Sequence, residues 1–93
     1  MVRSAMRLTV TGRVQGVGYR AWALAQARAL GLEGWVRNRR DGAVEALALG
    51  PDAALSAFAA ACERGPPHAA VLSVRRAAAE DDGSRGFEQR ATL

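Results

Sequence analysis

Two hydrophobic periodicities alternate along this chain, and their order limits the folds that it can adopt. Over residues 6–11, Met6, Leu8 and Val10 alternate with polar residues, which predicts a strand with one buried face. Over residues 20–30, apolar side chains recur at helical spacing, which predicts an amphipathic helix. The same patterns predict further strands at about 33–39, 43–49, 70–78 and 87–90, and a second helix at about 53–64.

Glycine residues mark the boundaries between these segments. Gly12 is predicted to end the first strand, and Gly31 is predicted to end the first helix in a left-handed cap. Gly65 is expected to cap the second helix, because two prolines follow it and prevent continuation. Asp41-Gly42 predicts a hairpin between the second and third strands.

The resulting order is strand, helix, strand, strand, helix, strand, with a short extra strand at the C-terminus. This order predicts an α+β fold, the ferredoxin-like βαββαβ sandwich, in which two helices cover one face of a mainly antiparallel sheet. The length of 93 residues predicts a single domain over 1–93. Because this fold supports many unrelated functions, it does not by itself identify an activity.

Composition excludes some classes of protein and leaves others open. Cys62 is the single cysteine, so an intrachain disulfide is excluded and a cytoplasmic location is expected. No apolar run approaches the roughly 20 residues of a membrane span, and residues 1–7 lack the apolar stretch of a signal peptide. All 13 basic residues are arginines, and against nine acidic residues they give a net charge of +4. A basic surface attracts anions of every kind, so the charge does not identify a partner.

A glycine-rich segment, residues 12–20, separates the first strand from the first helix. Its glycines allow a ligand to approach the backbone closely, and the N-terminus of the following helix favours an anion. Arg20 would add a planar charged group suited to phosphate. No Lys-Ser or Lys-Thr follows the glycines, so the segment is not a nucleotide P-loop. A solvated first-turn arginine beside an ordinary loop remains the alternative.

The predicted topology places Arg20 and Asn38 at the same edge of the sheet. The first and second strands run in the same direction, and the third lies between them. Their ends are therefore about 9–10 Å apart, a gap that two side chains of this length can bridge. Asn38 could also be a turn residue before the hairpin, which asparagine often is.

Two segments resemble the acylphosphatase family. Residues 11–20, TGRVQGVGYR, are similar to its signature G-x-V-Q-G-V-x-[FY]-R, and residues 30–45, LGLEGWVRNRRDGAVE, are similar to L-G-L-x-G-W-V-x-N followed by D-G-x-V-E. Weaker matches follow at Phe58, Gly65, Pro66, Ala69 and Val71. The resemblance spans nearly the whole chain in one register and also implies the ferredoxin-like fold.

The resemblance implies an acylphosphatase, which hydrolyses the carboxyl–phosphate bond of a small acyl phosphate to a carboxylate and inorganic phosphate. Arg20 would bind the phosphate and Asn38 would position the attacking water. The backbone amides of a phosphate-binding loop would complete the site, at Gln15, Gly16, Val17, Gly18 and Tyr19. Arg39 departs from the family pattern, in which a small hydroxyl residue often follows the asparagine.

The chemistry of an acyl phosphate explains why so few groups are needed. Its leaving group is a carboxylate of low proton affinity, so neither a general acid nor a metal is required, and we expect no metal and no cofactor. The enzyme has to neutralise the phosphoryl oxygens and place water in line. Asn38 cannot act as a base, and our hypothesis is that the proton passes to a phosphate oxygen of the substrate.

Two other functions are alternatives for a small basic domain of this fold. RNA-binding domains of this fold stack bases on aromatic residues of their central strands, but the first and third predicted strands contain none, so no nucleic-acid partner is expected. The chain could instead be a docking unit within a larger carbamoyl-transfer system. Binding of acyl phosphate without turnover would indicate such a module. We expect a monomer acting on a small molecule.

The remaining chemically capable side chains have structural interpretations. Cys62 is expected in the core on the second helix, and His68 on a surface loop. Trp35 is expected to pack between the sheet and a helix. The side chain of Gln15 could shape the loop through hydrogen bonds, and the sequence does not separate this structural role from contact with the substrate. Three arginines are expected to form an exposed basic patch, namely Arg37, Arg39 and Arg40.

Overall fold

The computed structural model describes residues 3–92 and contains five strands and two helices. In chain order these are β1 (Ser4–Arg13), α1 (Tyr19–Ala29), β2 (Glu33–Asn38), β3 (Val44–Gly50), α2 (Asp52–Arg64), β4 (Ala70–Ala78) and β5 (Phe87–Gln89). The strands form one sheet in the order β4-β1-β3-β2-β5. The predicted ferredoxin-like arrangement, including the extra C-terminal strand, is confirmed.

The strand pairing sets the edge at which a site can form. β3 is antiparallel to both β1 and β2, and β1 is also antiparallel to β4. Only β5, among the described strands, pairs in parallel, beside β2. Since β3 lies between β1 and β2, the C-terminal ends of β1 and β2 emerge at the same edge, as the sequence predicts.

The main core lies between the helices and one face of the sheet. Leu8 and Val10 of β1 are 0% and 1% exposed and pack there with side chains from both helices. Cys62 on α2 is also buried in this core, as expected, and the aromatic rings of Phe58 and Phe87 meet edge to face with centroids 5.9 Å apart. The contact with Phe87 ties the short β5 to the core.

Trp35 does not pack between the sheet and a helix, so that expectation is wrong. Side chains alternate across a strand, and its neighbour Val36 takes the helix-facing position in the main core. Trp35 lies instead on the opposite face, where it packs with Leu47 and Leu49 and is only 4% exposed.

Gly12 does not end β1, which continues to Arg13. The pairing of β1 with β4 shifts register between Thr11 and Gly12, which marks a β-bulge. A Cβ on Gly12 would lie 2.3 Å from the carbonyl oxygen of Ala70, so only glycine fits where the two backbones approach so closely.

The two predicted helix ends are confirmed. Gly31, with φ of +70°, follows α1, and its amide donates to the carbonyl oxygen of Arg28. Gly65 caps α2 with φ of +66°. Neither helix within residues 3–92 is both long enough and apolar enough to cross a membrane.

Candidate active site

The loop between β1 and α1 is fixed by side chains that point into the core. Val14 is 1% exposed, and Tyr19 is 2% exposed with its hydroxyl donating to the carbonyl oxygen of Cys62 at 2.8 Å. Between these anchors the backbone turns through Gly16 and Gly18, whose φ values are +74° and +81°. Glycine takes such dihedrals without steric cost, so the path of the loop depends on both residues.

The backbone amides of this loop are left without acceptors. Within residues 3–92, none of the amides from Gln15 to Tyr19 donates a hydrogen bond. Gly18 occupies the N-cap of α1 and offers no side chain to cap it. Unpaired amides at the positive end of a helix dipole favour an anion. The loop therefore presents donors that a phosphate group can use.

A small pocket of about 130 Å³ opens beside this loop. Its walls are formed by Val14, Gly16, Gly18, Tyr19, Arg20, Ala21, Asn38 and Gln89. Five of the seven site residues predicted from the sequence thus lie around one space, whereas Gln15 and Val17 do not line it. Their functional roles remain predictions.

Arg20 lies in the first turn of α1, partly exposed at the pocket wall. One guanidinium nitrogen, Nη1, donates to the carbonyl oxygen of Arg90 at 3.3 Å. No carboxylate within residues 3–92 forms an ion pair with it. Its positive charge therefore faces the pocket without a protein counter-ion from that part of the chain.

Asn38 is the last residue of β2, and its backbone is paired with Val44 of β3. Its side-chain oxygen Oδ1 is buried and finds no hydrogen-bond partner among residues 3–92. A buried polar atom without a partner costs about 1–3 kcal/mol. Rotation of the amide group by half a turn would exchange Oδ1 with Nδ2. With the amide rotated in this way, Oδ1 would take the present position of Nδ2 and its lone pairs could accept a hydrogen bond from a water molecule in the pocket.

Gln89 is a pocket residue that the sequence did not reveal. It is the last residue of β5 and pairs in parallel with Val36 of β2. Its position depends on the placement of β5 at the edge of the sheet, next to the strand that carries Asn38. A strand of three residues is too short for its hydrophobic pattern to predict which strand it pairs with.

The expected exposed patch of arginines is only partly present. Arg37 is largely covered: it donates to Glu45 at 2.9 Å and its guanidinium lies 4.5 Å from the ring centroid of Trp35. Burial alone would raise the pKa of the Glu45 carboxyl, but hydrogen bonds from Arg37 and Arg7 outweigh burial and lower it. These groups stabilise the open face of the sheet.

The other two arginines lie at the hairpin after β2. Arg39 forms an ion pair with Asp41 at 2.8 Å, whereas Arg40 is exposed and has no carboxylate partner within residues 3–92. His68 lies exposed in the segment before β4, as expected. Neither Arg40 nor His68 lines the pocket.

The pocket wall contains no carboxylate, histidine or thiol. The hydroxyl of Tyr19, the one phenol in the wall, donates a hydrogen bond to a backbone carbonyl in the core. Burial raises the pKa of this hydroxyl well above its ordinary value. Within residues 3–92, no three His, Cys, Asp or Glu side chains lie close enough to hold a metal ion. The groups at the pocket can therefore bind an anion and orient a solvent molecule.

Comparisons with known proteins agree with this geometry. The sequence model of the acylphosphatase family matches residues 6–89. An acylphosphatase of Acidiphilium cryptum (strain JF-5) is 49% identical over 88 residues, which cover 95% of this chain and 97% of that protein.

Two solved structures have the same fold. The acylphosphatase from Coxiella burnetii superposes with a TM-score of 0.91 at 32% identity, over 96% of this chain and 94% of that one. The acylphosphatase from Bacillus subtilis gives a TM-score of 0.89 at 39% identity, over 92% and 97%. The resemblance seen in the two sequence motifs is confirmed, and the chain belongs to the acylphosphatase family, the hydrolases that act on acyl phosphates.

Proposed function

We propose that this acylphosphatase works through Arg20, the loop amides from Gln15 to Tyr19, and Asn38. Arg20 and the amides hold the phosphoryl group, and Asn38 orients a water molecule for direct attack on phosphorus. A bond forms between the water oxygen and phosphorus as the bond from phosphorus to the carboxylate oxygen breaks. The products are a free carboxylate and inorganic phosphate, and no metal takes part.

The observation that carries this proposal is the shared pocket of Arg20, the two glycines of the loop and Asn38. Its volume of about 130 Å³ lies well below the ~300–1,000 Å³ typical of sites that enclose a drug-sized ligand. A site of this size fits the phosphoryl end of a substrate. The acyl group would extend towards solvent, which suits a small acyl phosphate of variable structure.

Charge complementarity supports the assignment of Arg20. The guanidinium can donate two parallel hydrogen bonds to phosphoryl oxygens, and such contacts are about twice as strong as neutral ones. The loop amides add donors that are already in place before the substrate binds. Donors fixed in this way stabilise developing charge without a cost of reorganisation at the moment of reaction.

Asn38 supplies direction to the water, since an amide does not accept a proton near neutral pH. With no titratable base in the pocket wall, the proton released by water passes to an oxygen of the substrate's own phosphate. The pH profile of kcat/KM should then lack an enzyme group with the pKa of a histidine or carboxylate. Such a group in the profile would contradict this part of the proposal.

The location and assembly of the protein remain predictions. We expect a cytoplasmic monomer that acts on a small acyl phosphate and binds neither nucleic acid nor a membrane. The single cysteine supports a reducing compartment, and the absence of aromatic residues on β1 and β3 supports a role other than RNA recognition.

The test is hydrolysis of benzoyl phosphate in the presence of a chelator. Wild-type protein should turn over, whereas Arg20→Ala and Asn38→Ala should each lose on the order of 10²–10³ in kcat/KM. Arg64→Ala is the matched control, because Arg64 is an exposed arginine in the last turn of α2 and lies outside the pocket. Circular dichroism verifies that each variant is folded.

The outcomes separate the parts of the proposal. Loss of wild-type turnover on chelation would contradict the metal-free reaction. Full activity in Arg20→Ala or Asn38→Ala would show that the corresponding side chain has no part in the reaction. An equal loss in Arg64→Ala would mean that the basic surface as a whole, and not Arg20, attracts the substrate.

A further inference from the structure

The side chain of Gln15 joins the two halves of the site. Its amide nitrogen Nε2 donates to the carbonyl oxygen of Arg39 at 2.8 Å and to that of Ala43 at 2.9 Å. The two acceptors lie 24 and 28 residues further along the chain, on the turn between β2 and β3. One side chain of the phosphate-binding loop thus spans to the hairpin that begins directly after Asn38.

The hairpin presents these two carbonyl groups in a fixed arrangement. The amide of Arg39 donates to Ala43 at 2.8 Å, and the amide of Gly42 donates back to Arg39 at 3.2 Å. Asp41 closes the turn by accepting from the amide of Ala43 at 3.0 Å. Each carbonyl that receives Gln15 therefore also accepts a bond within the turn, so Gln15 binds to a preorganised structure.

We propose that Gln15 is a positioning residue, which sets the distance between the phosphate-binding loop and the water-orienting Asn38. The inference rests on the proposed roles of Arg20 and Asn38. Neither β1 nor its loop makes another side-chain hydrogen bond to this turn within residues 3–92. Without Gln15, the two halves of the site are connected there only through the sheet.

The reaction is sensitive to this distance because water must attack in line with the leaving carboxylate. A displacement of about 1 Å between reacting groups can cost about 10² in rate. The loop itself keeps its anchors, Val14 and Tyr19, when Gln15 is changed. Binding of phosphate should therefore change little, whereas the step that requires both halves of the site should slow.

Gln15→Met provides the cleanest test. Methionine keeps an unbranched side chain of similar length and the backbone amide, but it removes both hydrogen bonds. We expect kcat for benzoyl phosphate to fall by about tenfold or more, while inhibition by inorganic phosphate changes by less than about threefold. Gln26→Met on α1 is the matched control and should behave like wild type, since Gln26 lies outside the pocket.

A double-mutant cycle with Asn38→Ala distinguishes positioning from general support of the fold. If Gln15 acts through Asn38, Gln15→Met should have almost no further effect on kcat once Asn38 is absent. Gln15→Asn keeps the donor on a shorter side chain and should give an intermediate kcat. Should Gln15→Met fail to fold, a folded Gln15→Asn with reduced kcat and unchanged phosphate inhibition would still support positioning.

Three results would overturn the inference: wild-type kcat in Gln15→Met, wild-type kcat in Gln15→Asn when only that variant folds, or an equal fold-loss with and without Asn38. The single variants identify which statement has failed. If Asn38→Ala is impaired and Gln15→Met is fully active, only the positioning role of Gln15 is wrong. A fully active Asn38→Ala removes the proposed role of Asn38, and the positioning role with it.

Discussion

Two glycine-containing loops of this molecule differ in whether their backbone amides are hydrogen-bonded. The phosphate-binding loop, with its amides from Gln15 to Tyr19, is held by the buried side chains of Val14 and Tyr19 and by the side chain of Gln15, and these amides find no acceptor within residues 3–92. The loop between β4 and β5, residues 79–86, is held by its own carboxylates, which accept hydrogen bonds from its amides.

In the second loop, two aspartates accept hydrogen bonds from nearby amides, and residues outside the loop, Arg3 and Glu33, contribute further bonds. Asp81 accepts from the amide of Gly83 at 2.8 Å and from the guanidinium of Arg3. Asp82 accepts from the amide and the hydroxyl of Ser84 at 3.0 and 2.6 Å. A carboxylate at such a position competes with any incoming anion for the same donors.

The difference between the loops shows how one fold can carry both a site and an ordinary turn. Where apolar side chains and a glutamine fix the path of the loop, its backbone amides stay free to bind a ligand. Where acidic side chains fix the path, they accept hydrogen bonds from the amides, and their negative charge repels anions. Glycine content alone does not separate the two cases, but the residues that hold the loop do.

The largest effect is expected for matched glycine substitutions, one in each loop. Gly18 and Gly83 have φ values of +81° and +80°, and an added Cβ at either meets no atom within 4 Å. Gly18→Ala and Gly83→Ala should therefore lose a similar free energy of unfolding, about 1–2 kcal/mol from backbone strain. Only Gly18→Ala should also lose activity, by about 10² in kcat/KM, because the methyl group narrows the pocket that Gly18 lines.

Urea denaturation and benzoyl phosphate hydrolysis on the same preparations measure both quantities. A loss of activity in Gly83→Ala as large as that in Gly18→Ala would show that turnover is limited by backbone strain in either loop, and not by the phosphate-binding loop in particular. Wild-type activity in Gly18→Ala would remove the phosphate-binding loop from the proposed site.

The fold could be predicted from the sequence because its signals are local. The period-2 pattern of β1, the helical spacing of α1 and the Asp41-Gly42 turn each depend on neighbouring residues only. The bulge at Gly12 could not be predicted, since it results from the close approach of Ala70 on another strand. The expected position of Trp35 between the sheet and a helix is wrong, although strict alternation with Val36 predicts the opposite face.

The site could be predicted in part. Two motifs identified Arg20 and Asn38, and the strand order explains why they meet. Gln89 could not be predicted, because its place depends on the parallel pairing of β5 with β2, a long-range contact. The side chain of Gln15 was recognised as a possible support for the loop, but its partners are backbone carbonyls, which leave no mark in the sequence.

Removal of the Asp82 carboxylate should weaken the second loop and leave the site intact. Besides its bonds to Ser84, Asp82 accepts from the indole nitrogen of Trp35 at 3.1 Å. We expect Asp82→Ala to lower the free energy of unfolding by about 1 kcal/mol, a fall of about 4–8 °C in Tm, with unchanged kcat/KM. Glu80→Ala, an exposed neighbour, is the control and should change neither quantity. A fall in kcat/KM would contradict the separation of the two loops.

The smallest expected effect concerns the pH dependence of the second loop. Hydrogen bonds from Arg3, at 2.6 and 2.8 Å, and from the amide of Gly83 lower the pKa of Asp81 from 3.8 to about 2. A lowered pKa in the folded state means that Asp81 stabilises the protein above pH 3.8 and that this contribution is lost as the pH falls towards 2.

Wild type and Asp81→Asn should therefore differ in unfolding free energy by a constant amount near neutral pH, and the difference should shrink below about pH 4. Because Asp81 is exposed to solvent, the difference itself should be small. A carbon-13 NMR titration of the Asp81 carboxyl gives the direct reading, with Arg3→Ala expected to move its midpoint back towards 3.8. A midpoint near 3.8 in wild type would mean that neither Arg3 nor the amide of Gly83 holds this carboxylate in solution. The amide of Gly83 would then lack the acceptor that the comparison of the two loops assigns to it. The contrast with the phosphate-binding loop would depend only on the hydrogen bonds that Asp82 accepts.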